Sequence, residues 1–233
     1  MYTRLVDGKE IELRVSGKLY KDALVMFDRE TGTLWTQVDG SALRGPLVGQ
    51  RLAEVPAMQT TWKVWKKLHP DTLVLAKPAA IRSSPYSDYF ADPERRGLFG
   101  TRGNPALPGK TIIIGVHAGD DAVAVPLSAL EKTELVDVEL AGEPILIFYS
   151  RQDQTASVFR AKVQGRRLSF RVSKQGRQTL LEDAETRSQW SPLDGRAIAG
   201  PLKDTRLESV TYLRSYWFAW SAYRPKTRII PAS

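Results

Sequence analysis

The chain has 233 residues, enough for one large domain or two small ones, and it contains no cysteine. Its composition, 42% hydrophobic and 26% charged, is that of an ordinary globular protein, and no apolar run reaches the roughly 20 residues of a membrane-spanning helix. The lack of cysteine excludes disulfides, thiolate catalysis and Cys-ligated zinc. The net charge of +8 favours polyanions, but Lys and Arg are spread among the acids, which favours a basic, solvated surface.

The first part of the chain reads as a series of strands. No apolar segment typical of a signal peptide follows Met1. Alternating residues 10–15 and the apolar run 23–27 predict two strands. A hairpin-type turn at Glu30-Thr31-Gly32 leads into a return strand at 33–38, where β-branched and aromatic residues are frequent. Asp28 stands just before this turn, where an aspartate often accepts hydrogen bonds from the turn amides.

A helix is predicted next, over residues 62–68. Thr60 and Thr61 are suitable caps, and Trp62, Trp65 and Leu68 recur three residues apart on one face. This stripe predicts that both tryptophans are buried. The His-Pro pair at 69–70 ends the helix, and residues 72–75 predict another strand.

Residues 78–108 form a connector rich in proline and glycine, which predicts a long irregular crossover. We expect its aromatic cluster, Tyr86, Tyr89 and Phe90, to pack against the body of the protein. A hairpin is then predicted from residues 111–116 and 122–125, a short helical turn at 127–132, and strands at 145–149, 156–162 and 168–172. The last elements are a helix ending at Tyr223, capped by Ser215, and a strand at 227–230.

The segment DRETGTLWTQVDGSALRGPLVGQRL, residues 28–52, occurs twice. It returns at 183–207 as DAETRSQWSPLDGRAIAGPLKDTRL, and identical residues continue beyond it without a gap. In every matched pair the two residues are the same number of positions apart in the chain. The pairs include Asp28 and Asp183, Trp35 and Trp190, Gly45 and Gly200, Pro46 and Pro201, Trp62 and Trp217, and Trp65 and Trp220. Residues kept in both copies are expected to hold the fold.

These observations predict a tandem duplication. The first repeat would span residues 1–77 and the second 109–233, joined by 78–108 into one compact domain with a shared core. The fold class predicted is α+β, β-rich, with mostly antiparallel sheets in two pseudo-symmetric repeats and one main helix per repeat. Residues 110–165 have no counterpart before Met1, so the first repeat is expected to be incomplete at its N-terminus.

Four stretches resemble a prokaryotic family, domain of unknown function 3179. They are VSGKLYKDALVMFDRETGTLWTQ at 15–37, GPLVGQRL at 45–52, TTWKVWKKLHPDTLVL at 60–75 and SPYSDYF at 84–90. The resemblance covers essentially the whole chain. Because the family has no established activity, it implies an architecture and no reaction. It also suggests an exported or cell-envelope location.

The resemblance implies a polar site that this chain lacks. Family members carry an Asn-Trp-His-Glu stretch and a Tyr-Cys-Pro-Leu-Cys-Gly stretch, upstream of the point that corresponds to Met1. In the second repeat, Thr133 stands where the histidine would be, and Ser150 and Asp153 stand where the cysteines would be. We therefore expect neither metal nor other cofactor in this chain.

Few residues could carry chemistry. The two histidines, His69 and His117, have no histidine, cysteine or carboxylate partner at a ligand-like spacing, and no Ser-His-Asp pattern or phosphate-binding glycine loop is visible. Residues confined to the first repeat are better candidates for function. We expect four of them to line a polar cleft: Tyr20, Arg29, Gln37 and His69.

Three functions remain open. The favoured one is a noncatalytic binding or assembly module with a protein partner. The alternative is a metal-binding or redox protein whose His and Cys residues lie upstream of Met1. The third is a single-stranded nucleic-acid binder, because Lys63, Lys66 and Lys67 accompany the two tryptophans, although the helical spacing of these tryptophans favours burial.

Overall fold

The structure is a computed structural model that describes residues 1–76, 86–93, 96, 97, 99–101, 103–176 and 178–231. The described residues are β-rich, with mostly antiparallel sheets and four helices, as the sequence predicts for the fold class. None of these helices is long and apolar enough to cross a membrane. The chain forms two compact units, the first from residues 1–57, 94–124 and 211–228, and the second from 58–93, 125–210 and 229–233.

The elements are named in chain order. Those of the first half are β1 (Leu5–Val6), β2 (Lys9–Glu10), β3 (Leu13–Tyr20), β4 (Ala23–Asp28), β5 (Leu34–Thr36), β6 (Ala42–Arg44), α1 (Trp62–Leu68), α2 (Ser87–Ala91), β7 (Ile112–Ala118) and β8 (Asp121–Pro126). Those of the second half are α3 (Leu127–Thr133), β9 (Leu135–Leu140), β10 (Glu143–Ser150), β11 (Thr155–Arg160), β12 (Lys162–Val163), β13 (Arg166–Arg167), β14 (Phe170–Gln175), β15 (Gln178–Asp183), β16 (Gln189–Trp190), β17 (Ala197–Ala199), β18 (Tyr212–Tyr216), α4 (Trp217–Tyr223) and β19 (Arg228–Ile229).

Two four-stranded meanders contain the recurring sequence. One has the order β3-β4-β5-β6 and the other the order β14-β15-β16-β17. In the first, the register shifts between Leu34 and Trp35, and in the second it shifts between Gln189 and Trp190. The two irregularities therefore fall at matching positions of the repeated sequence.

The turn that joins β4 to β5 is organised by a buried carboxylate. Oδ1 of Asp28 accepts a 2.6 Å hydrogen bond from the backbone N–H of Thr31, which confirms the predicted capping. Oδ2 accepts a 2.8 Å bond from Nε1 of Trp35. Both side chains are fully buried, and so are the matching Asp183 and Trp190, whose bond is 2.9 Å long.

The glycine of each Gly-Pro pair packs against its own meander. A Cβ atom on Gly45 would lie 2.7 Å from Cα of Thr33, and one on Gly200 would lie 2.6 Å from Cα of Ser188. Both glycines have positive φ, 120° and 91°. Only glycine fits this close approach without strain, which explains its occurrence at both positions.

Each meander closes over its own core. In the first unit, Trp35 is buried with the following residues: Val6, Ile11 and Leu52. In the second unit, Trp190 lies in a larger cluster with the following members: Leu146, Phe148, Phe159, Ala161, Val163, Leu168, Phe170, Leu181, Ala197 and Leu207. The tryptophans that recur in the sequence are thus the central residues of two cores.

Helix α1 has the predicted extent, whereas α4 ends at the predicted residue but begins later than predicted, at Trp217. The two helices also differ in their surroundings. Helix α1 begins after Thr61, whose hydroxyl accepts a 3.4 Å hydrogen bond from the N–H of Val64. Helix α4 follows Tyr216, which makes no side-chain cap, so the prediction that Ser215 caps this helix is wrong. Ser215 lies within β18 instead and is paired with Ile113 of β7.

The predicted burial of four tryptophans is only half right. Trp217 and Trp220 of α4 are 0% and 1% exposed, which confirms it for this helix. Trp62 and Trp65 of α1 are 52% and 36% exposed, so the prediction is wrong for them. Val64 is the residue that α1 buries.

The prediction of a strand at residues 72–75 is wrong. Residues 72–75 belong to no strand, although residues 228 and 229, at the matching place, form β19. In the connector, the rings of Tyr86 and Phe90 are exposed and have centroids 6.5 Å apart, while Tyr89 is half-buried and its ring lies 5.7 Å from that of Phe90. The packing of this cluster against the body of the protein stays a prediction. The part of the predicted crossover at 78–85 lies outside the described residues.

Candidate functional site

A pocket of about 240 Å³ in the first unit contains a His–Glu pair. His117 comes from β7 and Glu54 from the segment after β6, and Nε2 of the histidine lies 3.0 Å from Oε1 of the glutamate. Their side chains are 18% and 20% exposed. Apolar side chains form much of the wall, among them Leu13, Met26 and Trp220.

The contact with His117 affects the ionisation of Glu54. Burial raises the pKa of Glu54, but the hydrogen bond and the charge of His117 outweigh it, so the pKa of Glu54 lies below its ordinary value. An ionised Glu54 is an acceptor only, and therefore Nε2 of His117 carries a proton. Nδ1 of His117 is buried and has no hydrogen-bond partner among the described residues.

This pocket can bind a small polar group. In the neutral tautomer, Nδ1 of His117 is an acceptor, which suits a hydroxyl or amide N–H. Thr211 is among the lining residues, whereas no serine or cysteine lines the pocket within the described part of the chain. The arrangement is therefore a carboxylate-oriented histidine without a serine or cysteine in the described lining.

His117 has a carboxylate partner in the fold, although none stands at a ligand-like spacing in the sequence. The sequence does not reveal the pair, because Glu54 precedes His117 by 63 residues and does not belong to the sheet that contains β7. Tyr2 also lines the pocket, and its hydroxyl donates a 3.1 Å hydrogen bond to the carbonyl of Gln37. The pKa of Tyr2 is raised, and burial is the main cause. No local sequence motif predicts the contact of His117 with Glu54 or that of Tyr2 with Gln37.

The structure separates the members of the predicted polar cleft. Tyr20 pairs with Ala23 at one end of the β3–β4 hairpin, whereas Arg29 follows the other end, where Asp28 pairs with Leu13. Tyr20 contacts the ring of Tyr223 edge-on, with centroids 6.0 Å apart, and Arg29 bonds Glu12 at 3.1 Å.

The other two members of that set have separate surroundings. Gln37 lines the pocket that contains His117. His69 belongs to the second unit, where it ends α1 and its ring lies 4.2 Å from that of Trp65.

In the second unit, the two positions at which the family resemblance implies cysteines, Ser150 and Asp153, form a local turn. Oγ of Ser150 donates to Oδ2 of Asp153 at 2.9 Å, and the backbone N–H of Asp153 donates back to Oγ at 3.1 Å. Both residues border a pocket of about 430 Å³. Thr133 is engaged elsewhere, with its hydroxyl donating to the carbonyl of Ala129. Within the described ranges, no three His, Cys, Asp or Glu side chains form a group that could hold a metal ion.

A third feature is an exposed apolar surface in the second unit. We call it the α1 face and define it by Trp62, Trp65, Leu73, Val74 and Leu75. Leu73 and Leu75 are 95% and 91% exposed. Large apolar side chains exposed near one another in the chain are a common feature of interaction sites.

The comparison with protein families decides the identity of the chain. A family model described as Protein of unknown function (DUF3179) matches residues 1–227. The chain belongs to this family. Membership in the DUF3179 family carries no established activity, so the function must be argued from the sites. Neither the curated proteins nor the solved structures give a match to the chain.

Proposed function

We propose that the chain is a noncatalytic assembly module, built from a duplicated β-rich unit, that binds a partner protein through the α1 face. The carrying observation is the difference between two helices of matching sequence. Trp62 is 52% exposed in α1, whereas its counterpart Trp217 is fully buried in α4. Because the matching face is buried in α4 and exposed in α1, the exposed face of α1 is the surface that we expect a partner to cover.

Several internal correspondences support the duplication. The Asp28–Trp35 hydrogen bond has its counterpart in Asp183–Trp190, and the Gly45 approach has its counterpart at Gly200. We place the repeats at residues 1–77 and 109–233, with 78–108 as the connector. On this assignment each unit contains the meander of one repeat and the helix of the other, since α4 belongs to the first unit and α1 to the second.

The other two features favour binding over turnover. The His117 pocket has no serine or cysteine among its described lining residues, and the Ser150–Asp153 turn satisfies its own hydrogen bonds. Burial of the α1 face is favourable, because each large apolar side chain contributes about 1.5–3 kcal/mol when fully removed from water. An assembly role therefore draws on the free energy that is gained when these exposed apolar side chains are buried by a partner.

Site-specific photo-crosslinking tests the proposal. A benzophenone amino acid replaces Trp62 in cells that express the chain, and the same amino acid replaces Val48, which is exposed in the first unit, as the matched control. We expect one discrete protein adduct from position 62, absent from position 48 and lost when Leu73→Asp is added. A position-62 adduct pattern no different from that of position 48 overturns the assembly role.

A second candidate is single-stranded nucleic acid, which the exposure of Trp62 beside Lys63 and Lys67 favours. Two contacts argue against it. The ring of Trp65 already contacts the ring of His69 in a tilted arrangement, and Nζ of Lys66 donates to the carbonyl of Pro70 at 2.9 Å. Nuclease-sensitive adducts at position 62, together with salt-dependent binding of an oligothymidine, would replace the protein partner by nucleic acid.

A further inference from the structure

The second unit contains a groove of polar side chains that lies apart from the α1 face. It consists of a pocket of about 430 Å³ and a neighbouring pocket of about 450 Å³, which share the wall residues Ser150, Gln152, Gln178 and Thr179. The first pocket also reaches Lys67, near the end of α1. We call this feature the second-unit groove. Both volumes fall in the range of about 300–1,000 Å³ that is typical of small-molecule sites.

In the first unit, the matching place is closed. The β3–β4 turn packs on the end of α4, where the rings of Tyr20 and Tyr223 meet edge-on with centroids 6.0 Å apart. The hydroxyl of Tyr223 donates to the carbonyl of Tyr20 at 2.9 Å, and Nζ of Lys21 donates to the carbonyl of Ala222 at 2.7 Å. Two side chains from the turn and one from the helix therefore fill the space between them.

In the second unit, shorter side chains stand at these positions. The last paired residues of both hairpins flank a two-residue turn, and the second turn has Gln175 and Gly176 in place of the tyrosine and the lysine. On the helix, Leu68 stands in place of Tyr223. Leu68 lines one pocket of the groove and Gly176 the other. All of these positions are present in both repeats, so the groove is open because of its own side chains.

Four uncharged polar side chains in these walls suit hydroxyl groups. They are the amides of Gln152 and Gln178 and the hydroxyls of Thr179 and Ser191. Each can donate and accept a hydrogen bond, as a sugar hydroxyl also does. Among the described residues, none of these four side chains has a hydrogen-bond partner of its own. The groove therefore offers free donors and acceptors to a hydroxylated ligand.

The charges of the groove favour a ligand that has a carboxylate as well as hydroxyls. Lys67 borders one pocket and Arg151 the other, and both are exposed without an acidic partner in the described part of the chain. Either cation can pair with a ligand carboxylate. Asp153 and Asp194 lie in the same walls and oppose a ligand that carries only negative groups, such as polyphosphate.

An extended peptide fits the second-unit groove less well. Gln178 and Thr179 belong to β15, and Ser191 follows β16. Both are inner strands of the order β14-β15-β16-β17, so their main-chain groups are already paired. Strand addition needs an exposed sheet edge. Recognition in this groove therefore depends on side chains, as it does for small molecules.

We infer that the second-unit groove binds a sugar acid, that is, a saccharide that bears a carboxylate. Lys67 pairs with the carboxylate, and the amides of Gln152 and Gln178 bind the ring hydroxyls. This site goes beyond the assembly function, because it lies outside the α1 face and uses none of the residues that define that face.

Three probes separate the two parts of this ligand chemistry. The main probe is the trimer of galacturonate, which has both hydroxyls and carboxylates. The trimer of galactose lacks the carboxylates, and the trimer of glutamate lacks the ring hydroxyls. Binding of each to the full chain is measured by titration calorimetry at about 0.15 M salt, where attraction between well-separated surface charges is screened.

Two single substitutions and one matched control test the residues. Lys67→Met removes the ammonium group and Gln178→Leu removes the amide, each with little change in size. Lys63→Met makes the same change as Lys67→Met on the same helix, at a position outside the walls of the groove.

A further variant closes the groove in the way that the first unit is closed. It combines Leu68→Tyr, Gln175→Tyr and Gly176→Lys. The turn accepts a lysine, since Lys21 has a φ of 51° at the place where Gly176 has a φ of 61°. Circular dichroism and thermal unfolding verify that every variant keeps the fold, and the single substitutions decide the question if this variant does not.

We expect saturable binding of the galacturonate trimer, with at least about tenfold weaker binding of the other two trimers. Lys67→Met, Gln178→Leu and the closed variant should each weaken binding by at least about threefold, whereas Lys63→Met should leave it unchanged. Absence of saturable binding overturns the inference. Equally tight binding of the glutamate or galactose trimer does so too, as does binding that is insensitive to both single substitutions.

Discussion

The indole of Trp35 donates a 2.8 Å hydrogen bond from Nε1 to Oδ2 of Asp28, and both side chains are fully buried. The same carboxylate holds the turn through the N–H of Thr31. A single aspartate thus connects the turn between β4 and β5 to the centre of the core. The matching Asp183 makes the same two bonds, to Trp190 and Thr186.

Removing this carboxylate is expected to destabilise the first unit. Asp28→Ala leaves the buried indole N–H of Trp35 without an acceptor, which costs about 1–3 kcal/mol, and it also removes the acceptor of the Thr31 amide in the turn. Asp183→Ala has the matching effect in the second unit. Urea unfolding followed by circular dichroism measures both, with exposed Asp120→Ala as the control. A free energy of unfolding within about 0.5 kcal/mol of the parent chain contradicts the role of Asp28.

The stability should also depend on pH through Asp28. Burial raises its pKa, but hydrogen bonds from Trp35 and Thr31 outweigh burial, so the folded pKa lies below the ordinary value. A depressed folded pKa means that the carboxylate contributes stability above the unfolded pKa of about 3.9 and loses it as the pH falls through the folded value.

The measurement compares the parent chain with Asp28→Asn. Urea midpoints are recorded from about pH 6 down to about pH 3. The difference in unfolding free energy between the two proteins should be largest at the upper end and shrink toward the acid end. A difference that is constant across this range would mean that the ionisation of Asp28 is not linked to folding.

Each Gly-Pro glycine should resist substitution. Gly45→Ala forces a Cβ to within 2.7 Å of Thr33 at positive φ, and Gly200→Ala does the same against Ser188. Overpacking and backbone strain each cost about 1–3 kcal/mol. Gly49→Ala is the control, since Gly49 has positive φ but a Cβ atom there would meet no other atom within 4 Å. Thermal unfolding of all three tests this, and equal losses would leave strain alone as the cause.

The two matched tryptophans should differ sharply on truncation. Trp217→Ala empties a fully buried site and is expected to cost about 3–5 kcal/mol, as other large-to-small core changes do. Trp62→Ala removes a ring that is 52% exposed, so its cost is expected to be well below that of Trp217→Ala. Denaturant unfolding measures the two losses side by side. Comparable losses would show that Trp62 is buried in solution and that the α1 face is not free.

Much of the local structure follows from the sequence because it depends on neighbours along the chain. The start of α1 at Trp62 follows from the Thr61 cap, and the turn after Asp28 follows from hydrogen bonds that span three residues. The β7–β8 hairpin around Gly119 and Asp120 was likewise predictable. The recurrence of Trp35 at Trp190 indicated that both belong to cores, and both are fully buried.

The candidate sites were less predictable because they depend on contacts between distant segments. Glu54 and His117 lie 63 residues apart in the chain, and no spacing rule connects them. Tyr20 and Arg29 were grouped because both are confined to the first repeat, but antiparallel pairing puts them at opposite ends of one hairpin.

By itself the sequence determined the β-rich class, the recurrence of one segment of turns and strands, the extent of α1 and the end of α4 at Tyr223, since turn chemistry, caps and alternation act over a few residues. It could not tell Trp62 from Trp217, because both stand in the same helical pattern. Only the tertiary structure decided that α4 is covered and α1 is open. The physical reason is that a tryptophan is buried by what packs on it, and β7 with its Gly115 packs on α4, whereas no described strand takes that place at α1.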